Sequence, residues 1–437
     1  MNTPELLAPA GTPEHLETAF AYGADAVYAG QPRYSLRVRN NSFKDAATLG
    51  AGINRAHELG KQFYVVSNIA PHNDKVRSYI RDLEPVLEYK PDALIMSDPG
   101  LIMLVREKWP DQSIHLSVQA NAVNWATVEF WRRQGISRVI LSRELGLNEI
   151  REIRDRVPEM ELEVFVHGAL CMAYSGRCLL SGYMNHRDSN QGACTNACRW
   201  NYKQVEHSHD HTGDLIPVAA ESTPEVFEPK EILLEEPNRP GSFIPAYEDE
   251  HGTYIMNSRD LRAVQHVAEL IKMGVHSLKI EGRTKSTYYV ARTTQVYRRA
   301  IDEAVSGVPF DMSLMDELEA LSNRGYTEGF LRRHPPEEYQ TYEQGSSLLG
   351  TQQVVGIISS DDGHWLTVEV KNKFAKGDLL ELISPTGNLQ FSTEKLENTH
   401  GQPMDLAPGS GHQVRIPRPD GAPELLDRAY LTRIMQD

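Results

Sequence analysis

Short apolar runs alternate with longer amphipathic stretches up to about residue 305. The runs span four or five residues, as is typical of buried strands, whereas the stretches between them repeat apolar positions at helical spacing. The runs are Glu5–Ala8, Asp25–Tyr28, Gln62–Val66, Ala93–Met96, Ile114–Ser117, Arg138–Leu141, Leu162–Phe165 and Ser277–Ile280. The amphipathic stretches are Pro13–Tyr22, Ala46–Leu59, Val76–Tyr89, Ala126–Gln134, Leu147–Val157 and Thr287–Val305.

Repeated strand–helix units predict parallel strands with helices outside them. Eight units favour a TIM-type (β/α)8 barrel over residues 1–338, with a doubly wound open sheet as the alternative. The repeat breaks after the seventh run, where residues 168–256 hold all the cysteines and then a polar stretch. This segment is predicted to be an excursion inserted into the barrel.

A second domain is predicted over residues 345–437. Short strand-like runs occur there at Val354–Ile358, Trp365–Val370, Asp378–Ile383 and His412–Ile416. The turn sequences Pro385-Thr-Gly387 and Pro419-Asp-Gly421 separate some of them. The pattern predicts a small C-terminal β-barrel.

Composition narrows the class of protein. The 437 residues include 60 acidic and 45 basic side chains, for a net charge of −15, which argues against non-specific nucleic-acid binding over the whole surface. A local basic patch for one specific RNA remains compatible with it. No apolar stretch approaches the roughly 20 residues of a membrane span, and the N-terminus lacks the features of a signal peptide. A cytoplasmic protein with no membrane partner is therefore expected.

Four cysteines, the only ones in the chain, fall within 28 positions: Cys171, Cys178, Cys194 and Cys198. Two disulfides would need an oxidising compartment. Structural zinc usually shows shorter gaps between ligands than the six and fifteen residues found here. Four buried cysteines that bind nothing are a further alternative. Four thiolates at one locus favour an iron–sulfur cluster.

Polar side chains follow the predicted strands, where a barrel collects its reactive groups. From these we select His167, Glu163 and Glu281 as candidate catalytic residues, although Glu163 is equally suited to packing or pairing inside the barrel and His167 to a structural role. Arginines at a barrel mouth are suited to binding an anion. An ion pair with Glu281 is the alternative role for Arg283. The candidate substrate-binding residues are Arg33, Arg37, Asn68, Gln119, Asn121, Arg143, Arg283 and Trp200.

Common hydrolytic motifs are missing: the sequence has no G-x-S-x-G elbow, no H-E-x-x-H pair and no Walker A loop. Residues 163–181 instead match E-x-F-x2-G-A-L-C-x4-G-x-C-x-L-S, the signature of the collagenase-like peptidase family U-32. Leu6–His15, Gly23–Tyr28, Asn257–Leu261, Leu278–Arg283 and Asn323–Gly329 also resemble that family. The resemblance covers about residues 5–335, and the C-terminal part resembles the family's second domain.

The resemblance implies an activity as well as a fold. Members that hydroxylate RNA or a quinone carry a [4Fe–4S] cluster on four cysteines, which implies Cys171, Cys178, Cys194 and Cys198 as its ligands. The most similar branch implies formation of 5-hydroxyuridine at the wobble position of tRNA, with prephenate as hydroxyl source. Because prephenate is a dicarboxylate, Arg33, Arg37, Arg143 and Arg283 would be its clamp. Tyr174, Trp200 or Tyr202 would stack on the base or else pack the cysteine loop.

One departure is Gln191, where relatives often have arginine, and it weakens any claim of an extra basic contact there. The alternatives are a peptidase, as the family name states, a hydroxylase of another RNA or of a quinone precursor, and a non-catalytic cluster-bearing protein.

Overall fold

The computed structural model describes residues 3–36, 41–170, 259–323, 325–332, 351–424 and 426–435, together with the backbone of five short strands between residues 207 and 254. Eight parallel strands close into a barrel, because the eighth strand pairs with both the first and the seventh. These strands are β1 (Glu5–Pro9), β2 (Ala26–Gly30), β3 (Gln62–Ser67), β4 (Ala93–Met96), β5 (Ile114–Leu116), β6 (Arg138–Ile140), β7 (Glu161–Ala169) and β14 (Ser277–Ile280). The predicted (β/α)8 barrel is confirmed, and the open sheet is excluded by the closure.

Helices cover the outside of the barrel. They are α1 (Pro13–Ala21), α2 (Ala46–Glu58), α3 (Asn73–Leu87), α4 (Pro99–Lys108), α5 (Trp125–Arg133), α6 (Leu147–Arg156), α7 (Val267–Met273), α8 (Thr287–Val305) and α9 (Ser313–Glu319). Several begin at a side chain that accepts a hydrogen bond from the helix backbone: Thr12, Asp45, Asp98, Asn124 and Ser286. Such caps satisfy amide groups that the first turn leaves free, so the sequence itself marks these helix starts.

The chain between β7 and β14 departs from the repeat, as predicted. Two antiparallel groups of strands lie in this excursion: β8 (His207–His209) with β9 (Leu215–Pro217), and β10 (Lys230–Glu235) with β11 (Phe243–Asp249) and β12 (Gly252–Tyr254). β13 (Asp260–Arg262) then pairs antiparallel with the end of β7, and β15 (Tyr326–Thr327) adds to β13. The excursion therefore starts and returns beside the carboxyl end of β7.

The C-terminal domain is antiparallel. Seven of its strands form one sheet, in the order β20-β19-β24-β16-β17-β23-β21, and β18 pairs with β22. The strands are β16 (Gln352–Asp361), β17 (Trp365–Val370), β18 (Phe374–Ala375), β19 (Leu379–Ser384), β20 (Gly387–Ser392), β21 (Glu397–Asn398), β22 (Leu406–Ala407), β23 (Gln413–Pro417) and β24 (Tyr430–Ile434). The four predicted strand regions are all present.

The two domains are packed against each other. The Tyr22 hydroxyl on the barrel donates to the carbonyl oxygens of Ile383 and Arg428, each at 3.0 Å. Arg292 on α8 is buried and forms ion pairs with Glu317 on α9 and with Glu381 on β19. Among the described residues, no helix is both long and apolar enough to cross a membrane.

Candidate active site at the barrel mouth

Charged groups occupy the middle of the barrel, where aliphatic side chains are usual. Lys279 Nζ donates to Glu163 Oε1 at 2.7 Å, and Arg138 Nη1 lies 3.5 Å from Glu163 Oε2. All three side chains are buried. Burial lowers the pKa of Lys279, and the carboxylate of Glu163 opposes that shift. Both oxygens of Glu163 therefore have cationic partners, and its predicted catalytic role remains a prediction.

The ion pairs continue toward the amino ends of the strands. Arg138 Nη1 contacts Glu5 Oε1 at 2.7 Å, and Glu5 also accepts a hydrogen bond from the Tyr64 hydroxyl. Burial raises the pKa of Glu5 despite the nearby Arg138. His115 packs edge-on against Tyr64, and burial lowers the pKa of this histidine well below its usual range. A polar network thus fills the amino end of the barrel. The candidate active site is therefore at the carboxyl end of the strands.

Two arginines lie over aromatic rings at the mouth. The guanidinium carbon of Arg143 is 3.6 Å from the ring centre of Phe165, and that of Arg283 is 5.6 Å from the ring centre of Tyr28. Lys279 approaches the same two rings from within the barrel, at 5.4 Å and 4.3 Å. Cations are attracted to aromatic faces at these distances. The two rings therefore hold both arginines at the mouth.

Glu281 and Arg143 form an ion pair across the mouth. The backbone oxygen of Glu281 also accepts a hydrogen bond of 2.8 Å from the Tyr289 hydroxyl. Gly168 makes this approach of β7 and β14 possible, because a Cβ on it would lie 2.6 Å from that same oxygen, and its φ of +114° favours glycine. The structure thus brings Glu281 to the mouth, where its carboxylate faces Arg143.

A chain of neutral polar groups connects two further strand ends. Asn68 Nδ2 donates to Ser117 Oγ at 3.4 Å, and Ser117 Oγ donates to Gln119 Oε1 at 3.0 Å. Asn68 Oδ1 also accepts from the backbone amide of Leu36. Asn121 follows with a left-handed backbone, φ +51°. The predicted residues Asn68, Gln119 and Asn121 therefore lie after β3 and β5 at the same end of the barrel.

His167 does not lie on the open rim where the sequence placed it. In β7, Phe165 is paired with Lys279 and His167 with Ile280, so one extra residue in β7 shifts the register. Such a bulge turns a side chain to the other face of the sheet. The ring of His167 is buried among Tyr289, Tyr297 and Tyr326, with centroids 5.4–5.8 Å away.

The electrostatics of His167 follow from this position. Its Nδ1 is 3.3 Å from the Tyr297 hydroxyl, and its Nε2 has no hydrogen-bond partner within the described ranges. Burial lowers its pKa to about 3, partly offset by Asp260. The imidazole is therefore neutral at physiological pH.

Arg33 has an ion-pair partner on a helix outside the barrel strands. Its side chain is 61% exposed and pairs with Asp82 of α3 at 2.6 Å. The predicted residues Arg37, Trp200, Cys171, Cys178, Cys194 and Cys198 lie outside the described residues. Leu170, which immediately precedes Cys171, is buried at the carboxyl end of β7.

The sequence reasoning missed Lys279, inside the barrel, and Ser35, which is buried in the turn after β2 and lies beside Gly30. Lys279 lies within the apolar run Ser277–Ile280. A lysine in a buried strand needs a partner, and this could have identified it as a functional or ion-paired residue. Ser35 carried no signal of its own.

The arrangement of the mouth suits binding of an anion by two arginines. None of the described serines at the mouth is hydrogen-bonded to a histidine, as a serine nucleophile would be.

Together these features define a (β/α)8-barrel protein with a cationic mouth, an excursion after the seventh strand and an all-β C-terminal domain. The family model "Peptidase family U32" matches residues 11–341, and the model of that family's C-terminal domain matches residues 350–429. The chain belongs to peptidase family U32.

Curated relatives extend this assignment. The chain is 62% identical to tRNA hydroxylation protein P of Escherichia coli, over 96% of this chain and 94% of that protein. It is 60% identical to the protein of the same name from Haemophilus influenzae, over 94% and 92%. A 30% identical relative from Escherichia coli is 23S rRNA 5-hydroxycytidine C2501 synthase, covering 90% of this chain and 55% of that protein.

Proposed function

We propose that this protein hydroxylates tRNA in the cytoplasm, forming 5-hydroxyuridine at the wobble position with prephenate as hydroxyl source. The observation that carries the proposal is the pair Arg143 and Arg283, each over an aromatic ring at one barrel mouth. Two guanidinium groups fit a ligand with two carboxylates. The similarity to proteins named for tRNA hydroxylation, at about 60% identity over nearly the whole chain, supports the RNA substrate.

We further propose a [4Fe–4S] cluster held by Cys171, Cys178, Cys194 and Cys198. Four thiols within 28 positions match the donor set of such a cluster, and the first of them stands two residues after the end of β7 in the sequence. When bound, the cluster would supply redox or Lewis-acid chemistry. The residues of the barrel would bind the carboxylates, orient the ligand and keep water out.

A flipped wobble base would be the second substrate. Bases in single-stranded loops can be splayed into a protein pocket and read along their edges. Asn68 and Gln119, which offer both donors and acceptors at the mouth, are suited to that contact. A relative named for hydroxylation of cytidine in ribosomal RNA makes another RNA base the main alternative substrate.

Two measurements test the proposal. Iron and acid-labile sulfide are measured on protein purified without oxygen, beside the Cys171→Ala variant; about four of each per chain, lost in the variant, are expected. Nucleoside mass spectrometry of tRNA from a deletion strain should then lack 5-hydroxyuridine, and the wild-type gene should restore it. Zinc or no metal would contradict the cluster and favour the peptidase alternative, and unchanged tRNA would contradict the hydroxylation.

A further inference from the structure

Ser35 carries a buried hydroxyl that nothing in the mechanism uses. It lies in the turn after β2 and is fully buried, and its Oγ has no hydrogen-bond partner in the part of the chain that the structure describes. Buried polar groups in native proteins are nearly always satisfied, so such an exception calls for an explanation. Its surroundings identify what would satisfy it.

Gly30 places this hydroxyl inside the mouth. A Cβ on Gly30 would lie 2.2 Å from Ser35 Oγ and 3.1 Å from Arg283 Nη1, so the hydroxyl and the guanidinium approach the same bare Cα. Tyr28, two residues earlier and therefore on the same face of β2, contacts Lys279 and Arg283 with its ring. That face is consequently the inner face, and glycine is required for the close approach.

We propose that Ser35 and Arg283, held over Gly30, form a subsite for one carboxylate group of a small anionic ligand. The serine hydroxyl donates one hydrogen bond and the arginine supplies charge and further donors, whereas a carboxylate accepts from both. Arg143, which lies over the ring of Phe165, would take a second carboxylate in place of Glu281, its partner in this structure. The proposal rests on the proposed function only for the choice of prephenate as the ligand.

The test is calorimetric titration of the anaerobically purified full-length protein with prephenate and, separately, with malate, a simpler hydroxy dicarboxylate. Ser35→Ala removes the hydroxyl. Gly30→Ala keeps the hydroxyl, but the added methyl group displaces it from its position. Thr294→Val is the matched control, because Thr294 of α8 also carries a fully buried hydroxyl without a described partner. Thermal melting of each variant without ligand reports whether it folds.

We expect both mouth variants to bind prephenate about tenfold or more weakly than wild type, as for a lost hydrogen bond to a charged group. Thr294→Val should bind as wild type does, and Ser35→Ala without ligand should melt no lower than wild type because it loses an unsatisfied hydroxyl. Wild-type affinity in Ser35→Ala would overturn the proposal. The hydrogen-bond partner of the hydroxyl would then be an ordered water. Failure of the wild type to bind either dicarboxylate would overturn it as well.

The experiments can contradict the subsite without contradicting the proposed function, and the reverse. Binding of prephenate that depends on Ser35, in a protein whose deletion leaves tRNA modification unchanged, would keep the subsite and remove the hydroxylation. Loss of 5-hydroxyuridine on deletion, with affinity unchanged in Ser35→Ala, would keep the hydroxylation and remove the subsite.

Discussion

Lys279 and Glu163 form an ion pair at the centre of the barrel, with 2.7 Å between Nζ and Oε1 and almost no solvent contact for either side chain. β7 and β14 are neighbours in the closed sheet, and the register sets Glu163 opposite Ser277, two residues before Lys279. The pair therefore exists only because the eighth strand returns to the seventh after the long excursion.

Removing one partner of this pair should be more costly than removing both. Lys279→Met leaves Glu163 buried with Arg138 as its remaining cation, so we expect a loss of about 3–5 kcal/mol in the free energy of unfolding. The double variant Lys279→Met, Glu163→Leu should recover part of that loss, because hydrophobic replacement of a buried pair is often neutral. Urea unfolding of the two single variants and the double variant checks this. Additive losses would contradict a coupled pair.

Arg143 should matter for ligand binding, whereas Arg33 should not. Arg143→Ala removes a guanidinium held over Phe165, and we expect prephenate to bind about 10- to 100-fold more weakly. Arg143→Lys keeps the charge but loses the planar fork, so it should restore only part of the affinity. Titration calorimetry measures both.

The matched change is Arg33→Ala, since that side chain is exposed and pairs with Asp82. It should leave the affinity within about twofold of wild type, as expected for an exposed ion pair. An equal loss in Arg33→Ala and Arg143→Ala would show that the mouth extends further outward than the described contacts indicate.

His167 should make the protein less stable in mild acid. In the unfolded chain this histidine takes up a proton near pH 6.5, whereas burial holds its pKa to about 3 in the folded protein. The unfolded state therefore binds more protons between these values, and stability falls as the pH drops below 6.5. The contribution reaches about 2 kcal/mol at pH 5.

Thermal melting between pH 8 and pH 5 checks this prediction. His167→Gln should show a smaller fall in melting temperature over that range than wild type, whatever its stability at pH 8. His364→Gln, at an exposed position of the C-terminal domain, is the control and should follow wild type. Parallel pH profiles for His167→Gln and wild type would contradict a neutral buried imidazole.

Arg292 should couple the two domains. It is almost fully buried and pairs with Glu317 of the barrel domain and Glu381 of the C-terminal domain. Arg292→Met leaves Glu381 buried without this cation, at a cost of about 3 kcal/mol. In differential scanning calorimetry we expect the C-terminal domain to melt earlier as a separate transition.

Arg415→Met is the control for Arg292, because its partner Asp362 is exposed on the C-terminal sheet. This variant should melt close to wild type. A single, unshifted transition for Arg292→Met would show that apolar contacts alone hold the domains together.

The amino-acid sequence determined the local structure of the barrel. All eight barrel strands could be predicted, because each is a short apolar run between turn and cap residues and such signals act within a few positions. The four cysteines stand close together in the chain, and for that reason the sequence alone predicts them as one ligand group. Arg143, Arg283 and Glu281 could be placed at the mouth because each follows a predicted strand.

Tertiary structure decided which of these side chains meet. The bulge in β7 turns His167 behind the barrel wall, and it arises from pairing with β14, more than 100 residues later. Arg33, in the turn after β2, pairs with Asp82 on α3. The ion pair of Lys279 with Glu163 and the meeting of Ser35 with Arg283 over Gly30 likewise depend on barrel closure. Contacts between distant residues follow from strand register and packing, which the pattern along one chain does not specify.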